Sequence, residues 1–295
     1  MARELQRRRH RLNVYRGRTL SFAFTPHGQF RLDFLRVPTV GRSQVILPEA
    51  DLAAIEGHTI GIAAQSAALR ASGRHIKRGL LLYGPPGTGK TWSVSYLRSR
   101  MTDRTTVVIN GGPGIAGLGQ AVALARSLQP AMVVLEDVDL IAHERTMGAD
   151  TNPLLFQLLN EMDGLGEDAD VVFVLTTNRL ELLEPALAMR PGRIDQAVEI
   201  GLPDADCRRR LFELYLRDIE GLAPDIDLAP LVSGTDGASA AFIKELARRA
   251  VLLDACPTDD TDGGPRVRND PAADASNRAS NAAEFPNTAP NESER

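Results

Sequence analysis

Little in this chain of 295 residues marks it for a membrane, a secreted scaffold or a nucleic-acid surface. It has only two cysteines, Cys207 and Cys256, far apart and without metal-type spacing. Neither a disulfide framework nor a cysteine metal cluster is expected, and a reduced, intracellular setting fits. No run of roughly 18 apolar residues exists, so no segment is expected to span a membrane. The net charge is only −4 and the pI near 5.8, which argues against a general affinity for nucleic acid or anionic lipid. The opening MARELQRRRHR is basic, but no apolar core follows it, so it does not make a secretory signal. An early Glu4 weakens an organelle-targeting reading, leaving a solvated basic helix in a cytoplasmic protein as the expectation.

What is present is ordinary in bulk and specific in pattern. A hydrophobic share of 43% and a charged share of 24% suit a packed, soluble chain of one large or two ordinary domains. Residues 19–34, TLSFAFTPHGQFRLDF, alternate apolar and polar on both sides of a Pro/Gly turn. That pattern predicts a hairpin with Leu20, Phe22, Phe24, Phe30, Leu32 and Phe34 on one face. The segment 1–46 is too short for a core of its own, so it is expected to lean on its neighbour or on another subunit. From residue 47, apolar runs alternate with helical segments: GLLLY (79–83), TTVVIN (105–110), MVVLE (132–136), DVVFVLTTN (170–178) and QAVEI (196–200). Near-continuous apolar strands separated by helices predict an α/β fold with a parallel sheet covered on both faces, over 47–203. Only helical patterns follow, over 204–256. The last stretch, 257–295, is polar with one aromatic and no apolar period, and is expected to be disordered.

The segment GPPGTGKT (84–91) lies between a strand pattern and a helix pattern and matches G-x-x-x-x-G-K-[ST] in full. Glycines at 84, 87 and 89 let backbone N–H groups turn inward around a phosphate, and the helix start adds its free N–H groups and positive dipole end. The expected nucleotide-binding residues are Gly84, Pro85, Pro86, Gly87, Thr88, Gly89, Lys90, Thr91 and Trp92. Lys90 can reach the β- and γ-phosphates of a nucleotide, and the Thr91 hydroxyl can ligate Mg²⁺. A chance match in a chain this long would occur about once in a hundred. A second signal is MVVLEDVDLIA (132–142), an apolar strand that delivers Glu136 and Asp137 to its tip. Ionised carboxylates are rarely buried without a partner or a cation. Beside a phosphate loop, one can face the metal and the other polarise a water as general base. Asp137 or Asp139 could instead cap a helix, which would account for one acid but not for both.

Together with NPLLFQLLNEMDGL, VVFVLTTNR and RPGRIDQAVEIGLPD, these motifs resemble the ATPase core of the AAA+ superfamily, in the branch that unfolds proteins and remodels membrane proteins. The resemblance covers 78–203 and implies a P-loop NTPase fold, a five-stranded parallel sheet flanked by helices. A small all-α lid would follow it. It implies ATP and Mg²⁺ as cofactors and a homo-oligomeric ring, usually a hexamer. By position, Asn178 matches the water-orienting sensor residue, and Arg190 and Arg193 match arginines that reach the neighbouring subunit's site. An arginine supplied in this way is worth roughly three to five powers of ten in rate.

Four departures from the family stand out. The family usually has aspartate then glutamate at the strand tip; here Glu136 takes the metal place and Asp137 the base place, an order similar to that of mitochondrial AAA proteins that translocate iron–sulfur protein. The pore region NGGPGIAGLGQ (110–120) lacks an aromatic, leaving Ile115 and Leu118 as weak grips on a chain, or an ordinary Gly-rich loop. The lid segment GTDGASAAFIKELARR lacks the arginine that many AAA+ relatives place there to touch the γ-phosphate, as this branch usually does, and the lid reads one helix short. The leading expectation is a ring-forming ATPase acting on a protein client. An ATP-binding switch or scaffold with little turnover is the alternative, and a nucleic-acid motor is disfavoured by the charge.

Overall fold

The structure, a computed structural model, describes residues 12–24, 29–109, 117–139, 153–166, 169–183, 194–217 and 226–255. The apolar runs fold as strands β3 (Arg78–Tyr83), β4 (Thr105–Ile109), β5 (Ala131–Leu135), β6 (Val171–Thr177) and β7 (Gln196–Glu199). Every residue of β4, β5 and β6 is buried, as β-branched runs covered on both faces must be. They align in parallel in the order β4-β5-β6-β3-β7. These are the five strands expected of the core.

Two more strands extend the sheet to seven. Strand β1 (Thr19–Phe24) pairs in parallel with β4, Leu20 opposite Val107, and β2 (Phe30–Phe34) pairs antiparallel with β1 at the outer edge. The hairpin read from the sequence therefore leans on the sheet edge of its own chain. Its apolar row is split by this placement. Leu20 and Phe22, over the core, are buried and Leu32 is half-buried, while Phe30 and Phe34 on the edge strand are exposed.

Helices cover both faces. Helices α1 (Glu49–Glu56), α2 (Ile62–Ala64) and α3 (Ser66–Ala71) follow one another, with a wide turn at Gly57–Gly61 after α1. Next come α4 (Lys90–Arg100), α5 (Leu118–Ser127) and α6 (Pro153–Asp163). One core layer joins Leu52 and Ile55 of α1 and Val94, Tyr96 and Leu97 of α4 to Leu80, Leu82, Val108, Met132 and Val134. The other joins Leu118, Ala121 and Val122 of α5 and Leu158, Leu159 and Met162 of α6 to Val107, Val133, Leu135, Phe173 and Leu175. Leu118 is thus 1% exposed. The side chain expected as a weak grip on a threaded chain is a core residue, because α5 starts there and turns it onto the sheet; Ile115 lies outside the described residues.

The lower ends of β4, β5 and β6 are tied by a buried ion pair, Arg104 Nη1 to Asp170 Oδ1 at 2.6 Å. Asp170 also accepts the Ala131 N–H on its carbonyl (3.0 Å) and donates its own N–H to Gln129 (2.9 Å). Asp170→Ala strands the Arg104 charge in the interior and is expected to cost about 3–5 kcal/mol. Urea unfolding measures that loss, and replacing both partners by apolar residues is expected to recover most of it.

The chain divides into two compact units, Met1–Gly201 and Leu202–Arg295. In the second, α7 (Ala205–Leu216), α8 (Ala229–Gly234) and α9 (Ala240–Ala255) pack together. Asp204 caps α7 by accepting the Cys207 N–H at 2.7 Å. Arg208 ties α7 to α8, donating to the Val232 carbonyl (3.2 Å) and pairing with Asp236 (3.1 Å). Cys207 is buried, and burial pushes its thiol up to about 11, so it is held as an inert thiol. The polar segment 257–295 lies outside the described residues.

Candidate nucleotide-binding site

The strand order places the site. Strand β6 lies between β3, which leads into the phosphate loop, and β5, which carries the paired acids. Residues just beyond β6 therefore sit between loop and acids, at the carboxyl ends of the strands where ligands of such sheets bind.

The loop turns sharply after Tyr83. Gly84 has φ +138°, and a Cβ there would overlap the Ile200 carbonyl at the end of β7. No other residue fits this point, since Ile200 N–H is fixed to the Tyr83 carbonyl at 2.7 Å. Gly89, at φ +115°, is the left-handed step from which α4 departs. Thr88 Oγ1 donates to the Pro85 carbonyl at 2.9 Å and braces the loop. The first turn of α4 then presents free N–H groups and a positive dipole end, a ready anion site.

Lys90, 6% exposed, donates from Nζ to the Gly84 and Pro85 carbonyls, both at 2.7 Å. Burial pushes its ammonium down, and the negative charges of Asp137 and Asp139 push it back up. Its charge therefore already faces the acids. Thr91 is exposed at the helix start. Trp92 is 38% exposed, and its Nε1 donates to the Gln44 carbonyl at 2.8 Å. That bond is one of three links along one side of α4: Val40 N–H donates to Ser99 Oγ at 2.9 Å, and the Glu56 carboxylate bridges Arg42 (3.1 Å) to the Tyr96 hydroxyl, accepting from both. Burial and the Glu56 bond push the Tyr96 phenol up to about 12. The segment Val40–Gln44 thus runs the length of the phosphate-loop helix.

The two acids diverge. Asp137 has φ +50°, a left-handed conformation unusual for any residue but glycine, asparagine and aspartate. Its N–H donates to Thr176 Oγ1 at 3.0 Å, and its Oδ1 accepts from Asn178 Nδ2 at 3.3 Å. The structure therefore brings the expected base and the expected water-orienting amide together. Glu136 is half-buried; burial pushes its carboxyl up, Arg98's positive charge pulls it down, and Asp137 pushes it up again. A serine-family hydroxyl at Thr91 with a carboxylate at Glu136, the rest left to phosphates and waters, is an all-oxygen set that fits Mg²⁺.

Sequence reasoning missed three contributors. Asp139, 5% exposed, accepts from Thr177 Oγ1 (3.0 Å) and Asn178 N–H (3.1 Å). The sequence offered it only as a helix cap; among the described residues its bonds go to the end of β6, which it fixes in place. Thr176, through its bond to Asp137, and Arg98, through its charge on Glu136, are the others. The one signal for Asp139 in the sequence was a second acid two residues beyond Asp137, too near the apolar run to be solvated. Asp139→Ala is expected to lower turnover about tenfold to a hundredfold, the cost of a misplacement near an ångström. Nucleotide affinity should stay within about threefold; a kcat and Kd measured side by side separate the two. Arg190 and Arg193 lie outside the described residues.

A glycine-turned phosphate loop, its lysine, a helix N-terminus and acids at the tip of a strand one removed from β3 define a P-loop nucleotide-binding fold. Residues 80–202 match the family model described as ATPase family associated with various cellular activities (AAA), and the chain carries an ATPase domain of that family. Among similar proteins, the proteasome-activating nucleotidase of Methanopyrus kandleri is 35% identical over 189 residues, 60% of this chain and 43% of that one. The 26S proteasome regulatory subunit 6B homolog of Dictyostelium discoideum is 35% identical over 187 residues, 59% of this chain and 45% of its own length. The ATP-dependent zinc metalloprotease FtsH 1 of Rhodopirellula baltica is 32% identical over 193 residues, 61% of this chain and 28% of its own. The chain thus spans less than half the length of these relatives. Among the described residues no helix is long and apolar enough to cross a membrane.

Proposed function

We propose that this chain binds ATP with Mg²⁺, hydrolyses it, and works as a homo-oligomeric ring, a hexamer, that remodels a protein client in the cytoplasm. The observation that carries the reading is the contact of Asn178 Nδ2 with Asp137 Oδ1, beside a phosphate loop whose lysine faces the same acids. In the proposed site the N–H groups of Gly84–Thr91 and the start of α4 cradle the phosphates. Lys90 leaves its loop carbonyls for the β- and γ-phosphate oxygens. Thr91 and Glu136 hold Mg²⁺, which when bound neutralises charge on the β- and γ-phosphates. Asp137 takes a proton from the attacking water, and Asn178 orients that water between them. Arg190 and Arg193 act on the next subunit's nucleotide. The names of the relatives, a proteasome-activating nucleotidase and a proteasome regulatory subunit among them, support a client that is protein; nucleic acid is not expected as a partner. In this reading 1–46 is an appendage to an ATPase core at 47–203, with a lid at 204–256 and a polar tail at 257–295.

Steady-state ATP turnover against protein concentration, for the parent chain and Arg193→Ala, tests it. Turnover per subunit that rises with concentration, and falls by roughly three powers of ten in Arg193→Ala, is the expected result. The glutamate-first order of the acids favours a second reading, a switch that binds ATP and changes assembly without turning it over. Tight binding with no turnover at any concentration selects that one.

A further inference from the structure

The order of the two acids has a counterpart on the phosphate-loop helix. Along β5 the pleat sends Met132 and Val134 into the core layer shared with Val94 and Leu97 of α4, and Val133 and Leu135 into the opposite layer. Residue 136 continues the first row, so Glu136 leaves the strand toward α4. On α4, Thr91, Ser95 and Arg98 stand four and three residues apart and share one stripe. Ser95 Oγ donates to the Thr91 carbonyl at 3.0 Å, and Arg98 Nη2 donates to Ser95 Oγ at 2.7 Å. The second bond draws the guanidinium back toward the start of the helix, the direction in which helical side chains lean. Arg98 Nε is buried and has no hydrogen-bond partner among the described residues.

We propose that Arg98 is a positioning residue for the metal-side acid: its guanidinium holds the Glu136 carboxylate on the α4 side, in line with Thr91, and glutamate stands at 136 because its extra methylene spans the distance. That methylene adds roughly an ångström of reach. An aspartate there would draw the carboxylate back from its counter-charge. A carboxylate freed from Arg98 gains rotamers and faces the cation for only part of the time. The inference rests on the reading of Thr91 and Glu136 as holders of Mg²⁺ and names the residue that makes glutamate work there.

The test is calorimetric titration of the full chain with ADP, once with Mg²⁺ and once with EDTA. The ratio of the two Kd values is the share of binding that depends on Mg²⁺. A ratio near one in the parent chain overturns the Mg²⁺ reading, and the inference with it. Given a larger ratio there, Arg98→Met is expected to lower it at least threefold while the Kd in EDTA stays within twofold. In a Glu136→Gln background, Arg98→Met is expected to lower it no further. An unchanged ratio in Arg98→Met, or an equal fall in the Glu136→Gln background, overturns the link between the two residues and leaves the Mg²⁺ reading standing. Should Arg98→Met fail to fold, Ser95→Ala removes the hook and keeps the charge, and a fall of about twofold in the ratio is expected. No fall in Ser95→Ala and none in Glu136→Asp overturns the proposal equally.

Discussion

Lys90→Ala is expected to weaken binding of ATP and ADP about a hundredfold, read as Kd by calorimetry. Hydrogen bonds from a charged donor are worth about 1.5–3 kcal/mol each, and every 1.4 kcal/mol is tenfold in Kd. The two bonds lost are not the whole difference, because in the ligand-free chain Nζ already has two partners, the Gly84 and Pro85 carbonyls. Binding exchanges those neutral acceptors for charged phosphate oxygens, so the net loss lies near the lower end of the sum. The fold should survive. The loop keeps its own brace from Thr88 to Pro85, and Gly84 and Gly89 keep the turns that only glycine takes readily. A Kd unchanged in this variant would place the phosphates somewhere other than the loop.

Asp137→Asn is expected to lower turnover by roughly two to four powers of ten, the range that a positioned general base contributes, with nucleotide affinity held within a few-fold. This substitution isolates charge from shape. Asparagine tolerates the left-handed backbone that residue 137 adopts as well as aspartate does. Its side-chain oxygen can still accept from Asn178 Nδ2, and its N–H can still donate to Thr176 Oγ1, so both anchors are kept. What is lost is proton affinity at one oxygen. Alanine at 137 would confound this by adding the strain of a left-handed conformation without a polar side chain to offset it. Single-turnover measurement under saturating ATP is the readout, and full turnover in the asparagine variant would remove Asp137 from the chemistry.

These expectations come from features that were unequally legible in the sequence. The phosphate loop could be read because its chemistry fixes both residue type and spacing: the glycines at 84 and 89 have positive φ where the motif requires it. The central strands were legible for a different reason. Burial on both faces forces near-continuous apolar runs, and β4, β5 and β6 are buried throughout. The destination of the N-terminal hairpin was not legible. Its internal pairing is local, but its parallel pairing with β4 joins residues some 87 apart, such as Leu20 and Val107, and no local pattern encodes that. Asp139 and Thr176 were missed for the same reason, since their bonds exist only because β6 is inserted beside β5. Leu118 was misread because a Gly-rich stretch hides where the helix after it begins; once α5 starts at Leu118, the core claims it. The arginines at 190 and 193 rest on motif alone.

The bond from Trp92 to the Gln44 carbonyl has an optical consequence. Trp92 is the chain's single tryptophan, one residue past Thr91, partly in water and hydrogen-bonded at its one polar atom. Every photon of indole emission from the unlabelled chain therefore originates at the first turn of the phosphate-loop helix. Quenching by solutes, anisotropy and spectral position all become reports from a single address, with no dye and no engineered probe, once excitation at the red edge of indole absorption bypasses the four tyrosines.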